Sequence, residues 1–280
     1  MSTTVSWPSE VVAALRCSVC GDPVTLRDRT VRCARRHTFD LAKQGYVNLL
    51  HARVAAGTAD TAEMVAARAE FLGAGRYGAL ANLVAGQAAA FTRSGLIVDA
   101  GAGTGYYLAH VLDRVPGTAG LALDVSAVAL RRAARAHPRI SAAVWNLWEP
   151  WPVADHSASV VLNVFAPRNA PEFHRVLRPG GHLVVAAPGP AHLRELASVV
   201  DLLDVDGRKD ERIDGALAGH FSLVDRRRHA ERLTLSPADV RRVVLMGPNA
   251  HHPGRLTGLS GVDEPVDVTA SFVVSVYRRT

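Results

Sequence analysis

Lysine is nearly absent from this 280-residue chain. Lys43 and Lys209 are the only two, so the 32 basic residues behind the net charge of +6 are almost all arginine. Arginine without lysine, in a chain rich in alanine and valine, follows the codon bias of a GC-rich genome. The charge therefore argues only weakly for an anionic partner, of which nucleic acid is the natural one. Long apolar runs are missing as well. None approaches the roughly 18 residues of a membrane span, although a hydrophobic content of 48% is ample for a core. The opening Met-Ser-Thr-Thr-Val-Ser-Trp-Pro has no basic segment followed by an apolar one. No secretory leader is read, and a cytoplasmic location is expected. Cysteine stops early: Cys17, Cys20 and Cys33 are the whole set. An odd number in such a chain argues against a disulfide framework.

Those cysteines form a pattern. Cys17-Ser-Val-Cys20-Gly-Asp-Pro is a C-x-x-C knuckle whose Gly and Pro turn both sulfurs toward one point. Thirteen residues beyond Cys20 comes Cys33, and His37 follows it at the fourth position. Two pairs of soft ligands around a short hairpin suit a tetrahedral Cys₃His zinc, and four protein ligands leave no place for a catalytic water. The expected metal is structural Zn²⁺, held by Cys17, Cys20, Cys33 and His37. A segment this short buries too little apolar surface to fold without it. Val24 to Arg32 is read as the two short strands between the knuckles. From Arg16 to Lys43, seven basic residues (Arg16, Arg27, Arg29, Arg32, Arg35, Arg36 and Lys43) outnumber Asp22, Asp28 and Asp40. Such a face suits phosphate and base contacts, or is simply a solvated charged surface.

The centre of the chain is Leu96-Ile-Val-Asp-Ala-Gly-Ala-Gly-Thr-Gly-Tyr-Tyr107. An apolar run fit for a buried strand enters a glycine turn, and from Thr104 the residues wind into a helix. That arrangement brings bare backbone N–H groups beside a ligand. The spacing is G-x-G-x-G, unlike the G-x-G-x-x-G of dinucleotide enzymes, and it points to S-adenosylmethionine (SAM). Alone it is a weak signal, since other α/β folds use similar turns. Gly101, Gly103, Thr104 and Gly105 are the candidate cofactor-binding residues of the loop. Gly120 to Asp124 reads as the next strand, and Asp124 lies 19 residues beyond Gly105, where an acid accepts ribose hydroxyls.

Around this centre the chain reads as alternating elements. Asp60 is a candidate N-cap for a helix to Leu72, after a loop over His51 to Thr58. A second helix runs from Arg76 to about Phe91. Ser126 caps a helix to His137, and Ser141 to Asn146 is a strand. Asn146 and Leu147 fall where adenine is often framed. Trp148 and Trp151 either stack on a base or plug the core edge. Ser159 to Pro167 is a strand and its exit, where Phe165 could stack on a purine and Asn163 bond its edge. Phe221 to Leu235 reads as an arginine-rich strand pair, Ser236-Pro237-Ala-Asp239 opens a helix, and Val266 to Tyr277 is a last strand.

Cys-x-x-Cys, then Cys-x-x-x-His, then Phe39-Asp-Leu-Ala-Lys-Gln-Gly-Tyr-Val-Asn-Leu-Leu50 resembles the bacterial 23S rRNA guanine-N1 methyltransferase family. The order of finger, linker and glycine loop matches it, and the likeness runs nearly to the C-terminus. Arg178-Pro-Gly-Gly181 before a strand resembles a SAM-methyltransferase signature and argues against a dehydrogenase. The resemblance implies a class I SAM-methyltransferase, an α/β fold with a Rossmann-like seven-stranded sheet and a small N-terminal zinc-ribbon-like module. Residues 1–45 would be the zinc-binding RNA-recognition module, 46–94 a linker with approach helices, and 95–280 the SAM domain. It also implies that Tyr77, in Ala-Gly-Arg-Tyr, and His192 lie at the SAM site. Family members are dimers, so a homodimer is expected, with a 23S rRNA hairpin as partner. The family has a housekeeping branch and a macrolide-resistance branch (tylosin-type). The GC-rich bias favours resistance, with the housekeeping role as the alternative. Met246-Gly-Pro-Asn-Ala-His251 departs from the housekeeping pattern, which has an aromatic after the proline.

The implied reaction moves a methyl group to N1 of a guanine in a hairpin loop near the peptide exit tunnel. The base must be splayed or flipped into a pocket. Neutral N1 carries a proton, so a base or a group stabilising charge on O6 would help. The sequence offers no convincing base, and the catalytic residue is left unassigned. Catalysis is expected to rest on positioning and on the sulfonium, with Asn163, Glu149 and His192 the positions to test. A small-molecule methyltransferase with a structural zinc knob is the rival enzyme. An RNA-binding protein on an inactive SAM fold is the non-catalytic rival.

Overall fold

In the computed structural model, the described residues are 7–51, 59–198, 209–247, 250 and 258–280. The sequence-read loop after His51 and the Pro248–Asn249 and His251 positions fall largely outside them. The chain begins with a short helix α1 (Ser9–Ala14). A three-stranded antiparallel module follows, formed by β1 (Val24–Arg27), β2 (Thr30–Cys33) and β3 (Thr38–Asp40). Then come β4 (Tyr46–Asn48), α2 (Ala62–Gly73), α3 (Gly78–Phe91), β5 (Ser94–Ala100), α4 (Tyr106–Arg114), β6 (Gly117–Asp124), α5 (Ala127–Ala136) and β7 (Ile140–Val144). The second half adds β8 (Ala158–Val164), α6 (Ala170–Val176), β9 (Leu177–Pro188), α7 (Lys209–Leu217), β10 (Phe221–Leu235), α8 (Pro237–Leu245) and β11 (Val266–Arg279).

The large sheet has the order β10-β11-β9-β8-β5-β6-β7-β4. Strands β4 to β9 in it are parallel, and β11 runs antiparallel to both β9 and β10. The chain leaves β5 toward β6 and β7, then returns to the other side of β5 as β8 and β9. That reversal makes a crevice at the carboxyl ends of β5 and β8, where open α/β sheets bind ligands. Fully buried runs such as Ala158–Val164 and Ile140–Val144 explain why these strands are parallel and covered on both faces. Helices α3, α4, α5 and α8 pack on one face. Helices α1, α6 and α7 pack on the other, together with the inner side of the small module (Cys17, Val24, Val31 and Cys33).

Three expectations need correction. Seven of the eight strands are those read from the sequence, and the eighth, β4, comes from the segment assigned to the linker; Tyr46–Asn48 pairs with Ala142–Val144. Phe221 to Leu235 is one long edge strand, not a pair, and its whole length runs along β11 with one shift at Leu223/Asp225. The cap of α2 is Thr61, whose hydroxyl accepts from the Met64 N–H at 3.2 Å; Asp60 instead receives Arg68. Arg178–Gly181 forms a bulge within β9, with Gly180 at φ 74°. Ser126 and Ser236 cap α5 and α8 as expected. Among the described residues, no helix is long and apolar enough to cross a membrane.

Candidate metal centre and cofactor cavity

The four ligands read from the sequence converge. The sulfurs of Cys17, Cys20 and Cys33 and a ring nitrogen of His37 lie within 4.8 Å of one another. His37 Nδ1 is 3.5 Å from Cys17 Sγ and 3.4 Å from Cys33 Sγ, and Cys20 Sγ is 3.7 Å from Cys33 Sγ. Tetrahedral zinc bonds of about 2.3 Å to sulfur and about 2.0 Å to nitrogen require edges of about 3.5–3.8 Å. The donor set therefore fits a structural zinc held through Nδ1. On the outer face of the small module, Arg29 donates to the Ala42 carbonyl at 2.6 Å and Arg35 pairs with Asp22 at 3.0 Å. Arg27, Arg32, Arg36 and Lys43 are exposed and have no ion pair among the described residues. Arg32 stands opposite Thr25 in the β1–β2 ladder, which puts it on the same outward face as Arg27.

At the carboxyl edge of the large sheet, a cavity of about 810 Å³ gathers Tyr77, Gly101, Gly103, Thr104, Asp124 and His192, six of the seven cofactor residues read from the sequence, with Gly105 the one left out. Its size suits a nucleoside-bearing ligand. The glycines divide the work. A Cβ on Gly101 would sit 2.3 Å from Ala166 Cβ, and one on Gly105 would sit 2.9 Å from Ala133 Cα. Gly103 faces the cavity, with only the Arg68 guanidinium near. All three have positive φ, which a Cβ makes costly.

The expectation of bare loop N–H groups is corrected in part. Gly101 and Ala102 both donate to the Leu123 carbonyl, Gly105 donates to Ala102, and Gly103 donates to Asp124 Oδ2 at 2.8 Å. The loop's donors thus fix Asp124, whose Oδ1 accepts from the Ser126 N–H at 2.8 Å. Burial pushes this carboxyl up, and the two N–H bonds oppose that. Both carboxylate oxygens keep lone pairs for a ligand.

Tyr77 and His192 come together from α3's start and the segment after β9. The Ser271 N–H donates to His192 Nδ1 at 3.3 Å, and Nε2 lies 3.2 Å from the Tyr77 hydroxyl. Burial, and then Lys209, push the imidazole down to about 4. The ring is neutral near pH 7. With Nδ1 accepting, its proton is on Nε2 and is donated to Tyr77. The tyrosine's own hydrogen is then free to turn toward the cavity. Phe71 and Phe272 hold its ring edge-on at 5.0 and 4.8 Å.

The exit of β8 forms the other end. Phe165 takes φ 53°, an uncommon conformation for a bulky residue that merits a functional reason. It is 42% exposed on the cavity wall, and Trp148, also on that wall, is 64% exposed. Asn146 and Leu147 line the wall, as expected. Trp151 is core instead: it is buried, donates to the Leu147 carbonyl at 3.0 Å and packs on Phe173. Asn163 does not face the cavity. It is fully buried and ties the ends of two strands, donating to the Ala100 and Pro167 carbonyls at 3.3 and 2.8 Å. Glu149 also lies off the cavity wall.

Three residues had no sequence signal. Arg68 lies over the glycine loop, paired with Asp60 and donating to the Met246 carbonyl at 2.6 Å. Asp99 is the last but one residue of β5, buried, with Oδ1 unpartnered; burial, and then the charge of Asp124, push it up to about 8. The cradle that a Cβ on Gly101 or Gly105 would fill, beside the clamped Asp124 carboxyl, fits a nucleoside-bearing ligand such as SAM. Arg168 lines the acceptor end.

Residues 15–54 match a zinc-ribbon family described as RlmA, N-terminal, and residues 97–181 match a methyltransferase domain family. A Streptomyces fradiae protein named 23S rRNA (guanine(748)-N(1))-methyltransferase is 46% identical over 277 residues, covering 96% of this chain and 98% of its own. A Micromonospora griseorubida protein assigned to 23S rRNA (guanine-N(1)-)-methyltransferase activity is 49% identical over 291 residues, with the same coverage. Among solved structures, a methyltransferase of Bacillus halodurans C-125 superposes with a TM-score of 0.50 at 14% identity, over 70% of this chain and 97% of that one. That likeness concerns the fold.

Proposed function

The chain belongs to the 23S rRNA (guanine-N1)-methyltransferase family, and from that premise we propose that it methylates N1 of guanine 748, the position in the name of its Streptomyces fradiae relative. The near-full-length identity carries this reading. A zinc-stapled basic module and a SAM-sized cavity in one chain support it. The small-molecule rival gains nothing from exposed Arg27, Arg32, Arg36 and Lys43 on that module. The target lies in a hairpin loop near the exit tunnel, and a methyl group there hinders a macrolide. Resistance is therefore the proposed role. Unchanged macrolide sensitivity in a host with and without the gene would remove that part. A cytoplasmic location and a homodimer are part of the same reading, the second to be checked by light scattering.

Bound SAM supplies a methyl group activated by a sulfonium. The chain's residues hold and orient. Asp124, clamped by two backbone N–H groups, accepts the ribose hydroxyls. Gly103 and Thr104 let the backbone approach the amino acid end, while Gly101 and Gly105 keep the loop against β8 and α5. Tyr77, oriented by neutral His192, offers its hydroxyl hydrogen to the cavity. Phe165 and Trp148 present faces on which a flipped guanine stacks. Zinc holds the module that carries the arginines, away from the reaction. Incubation with tritiated SAM and protein-free 23S rRNA, followed by primer extension, tests the proposal. A stop at one hairpin guanine supports it, because N1-methylation blocks base pairing. Label without a stop points to another atom.

A further inference from the structure

The cavity's charges are sorted by end. Its only carboxylates among the described lining residues are Asp60 and Asp124, both beside the glycine loop. Asp60 is neutralised by Arg68, and Asp124 is held by backbone N–H groups. Past the exit of β8 the lining adds Arg168, and past β9 the neutral His192 lines the cavity beside Tyr77, with Lys209 near it. Arg168 directly follows Phe165-Ala-Pro. Its guanidinium is partly desolvated, its Nε is buried without a partner, and it has no hydrogen bond or ion pair among the described residues. The polar group nearest in electrostatic effect is the Tyr277 hydroxyl on β11, itself pushed up to about 12 by burial and Asp214. A lone arginine keeps its charge in such a place. Other half-buried arginines are tied down: Arg139 by four carbonyls, for example, and Arg175 by Glu172 and Asp155. An unpaired cation in a cavity wall awaits an anion.

We propose that Arg168 is a catalytic residue that donates to O6 of the target guanine and stabilises the charge formed there as N1 loses its proton. This rests on the N1-methylation reading above. The N1–H bond breaks and its proton passes to solvent water; the electron pair left on N1 forms the bond to the methyl carbon while the methyl–sulfur bond breaks, its pair staying on sulfur. Neutral guanine and a sulfonium become neutral N1-methylguanine, a thioether and one proton. No carboxylate base is needed at that end, and none lines it among the described residues. A cation there makes the bound guanine's N1 more acidic, lowering its pKa, so the reaction gains its anion at lower pH.

The test is single-turnover methylation of the target hairpin by the zinc-loaded full chain at saturating SAM, from neutral to alkaline pH. For the natural chain the rate rises with pH and then levels. Arg168→Gln is expected to lower the rate near pH 7 about 100-fold, the usual effect of losing one such donor. It should also move the levelling point to higher pH, narrowing the deficit in alkali. SAM affinity, RNA affinity and its salt dependence should stay unchanged, which also certifies folding. Arg168→Lys, which keeps the charge, should recover part of the rate and serves alone if the glutamine variant does not fold. An unshifted pH profile overturns the inference. So does a salt slope reduced by about one with kcat intact, which would make Arg168 a phosphate contact. A natural chain that gives no N1-methylguanine would refute the family reading itself, a distinct result.

Discussion

Gly101→Ala tests whether the glycine loop is built as a wedge between β5 and the exit of β8. The new Cβ would lie 2.3 Å from Ala166 Cβ, with φ at 85°. Two costs follow. Holding alanine in a left-handed conformation costs about 1–2 kcal/mol. Pushing a methyl group into a packed site costs about 1–3 kcal/mol more. The sum, about 2–5 kcal/mol, lowers the melting temperature by on the order of 5–15 °C. Relief of the clash would displace the loop that positions Asp124, so SAM should bind about tenfold more weakly, equal to about 1.4 kcal/mol. The two costs separate in a double-mutant cycle. With Ala166→Gly added, the nearest atom to the new Cβ is the position-166 Cα at 3.6 Å, an ordinary contact. The double variant should regain the steric share and keep only the conformational one. Calorimetry gives both melting temperature and SAM affinity. A single variant melting with the natural chain, or a second substitution that restores nothing, would refute the wedge.

Other expectations follow from the same geometry. Chelating the zinc, or Cys33→Ser, should melt the β1–β3 module and lower RNA affinity much more than SAM affinity, because the cavity draws no residue from that module; equal losses would count against the division. Arg27→Gln with Arg32→Gln should reduce the magnitude of the log affinity against log salt slope by about one to two, leaving kcat unchanged at saturating RNA. His192 has a folded-state value lowered to about 4 from an ordinary 6.5. The unfolded chain thus binds the proton first, and stability is lost as pH falls from about 6.5 toward 4, by on the order of 3 kcal/mol. His192→Gln should flatten that stretch of the melting-temperature profile; an unchanged slope would place the acid sensitivity elsewhere.

The elements legible in the sequence were those whose chemistry is local. Cys17, Cys20, Cys33 and His37 carry ligand spacing within one hairpin, and the glycine loop sits between a continuous apolar run and a helix start. Strand β4 was hidden because its three residues become a strand only by pairing with β7, nearly a hundred positions away. Strand β10 reads as two pieces because arginines fall on both faces of an edge strand, masking its period. Asn163 misled for a related reason: an amide at a strand exit has the right chemistry for a base edge, yet two nearby carbonyls claim it. The arginines are the hardest to sort. Arg139 closes the end of α4, Arg175 ties α6 to the preceding loop, Arg68 covers the glycine loop and Arg168 lines the acceptor end. No spacing separates those roles, because each is set by what the fold leaves unpaired around the guanidinium.

The central claim is the atom methylated. Digesting 23S rRNA to nucleosides after reaction with the purified chain, and separating them by chromatography with mass detection, tells N1-methylguanosine from its N2 and N7 isomers. The account predicts a single new peak of N1-methylguanosine, about one per RNA, absent without the protein. A peak at N2 or N7, or methylation of free small molecules with none in RNA, would contradict it.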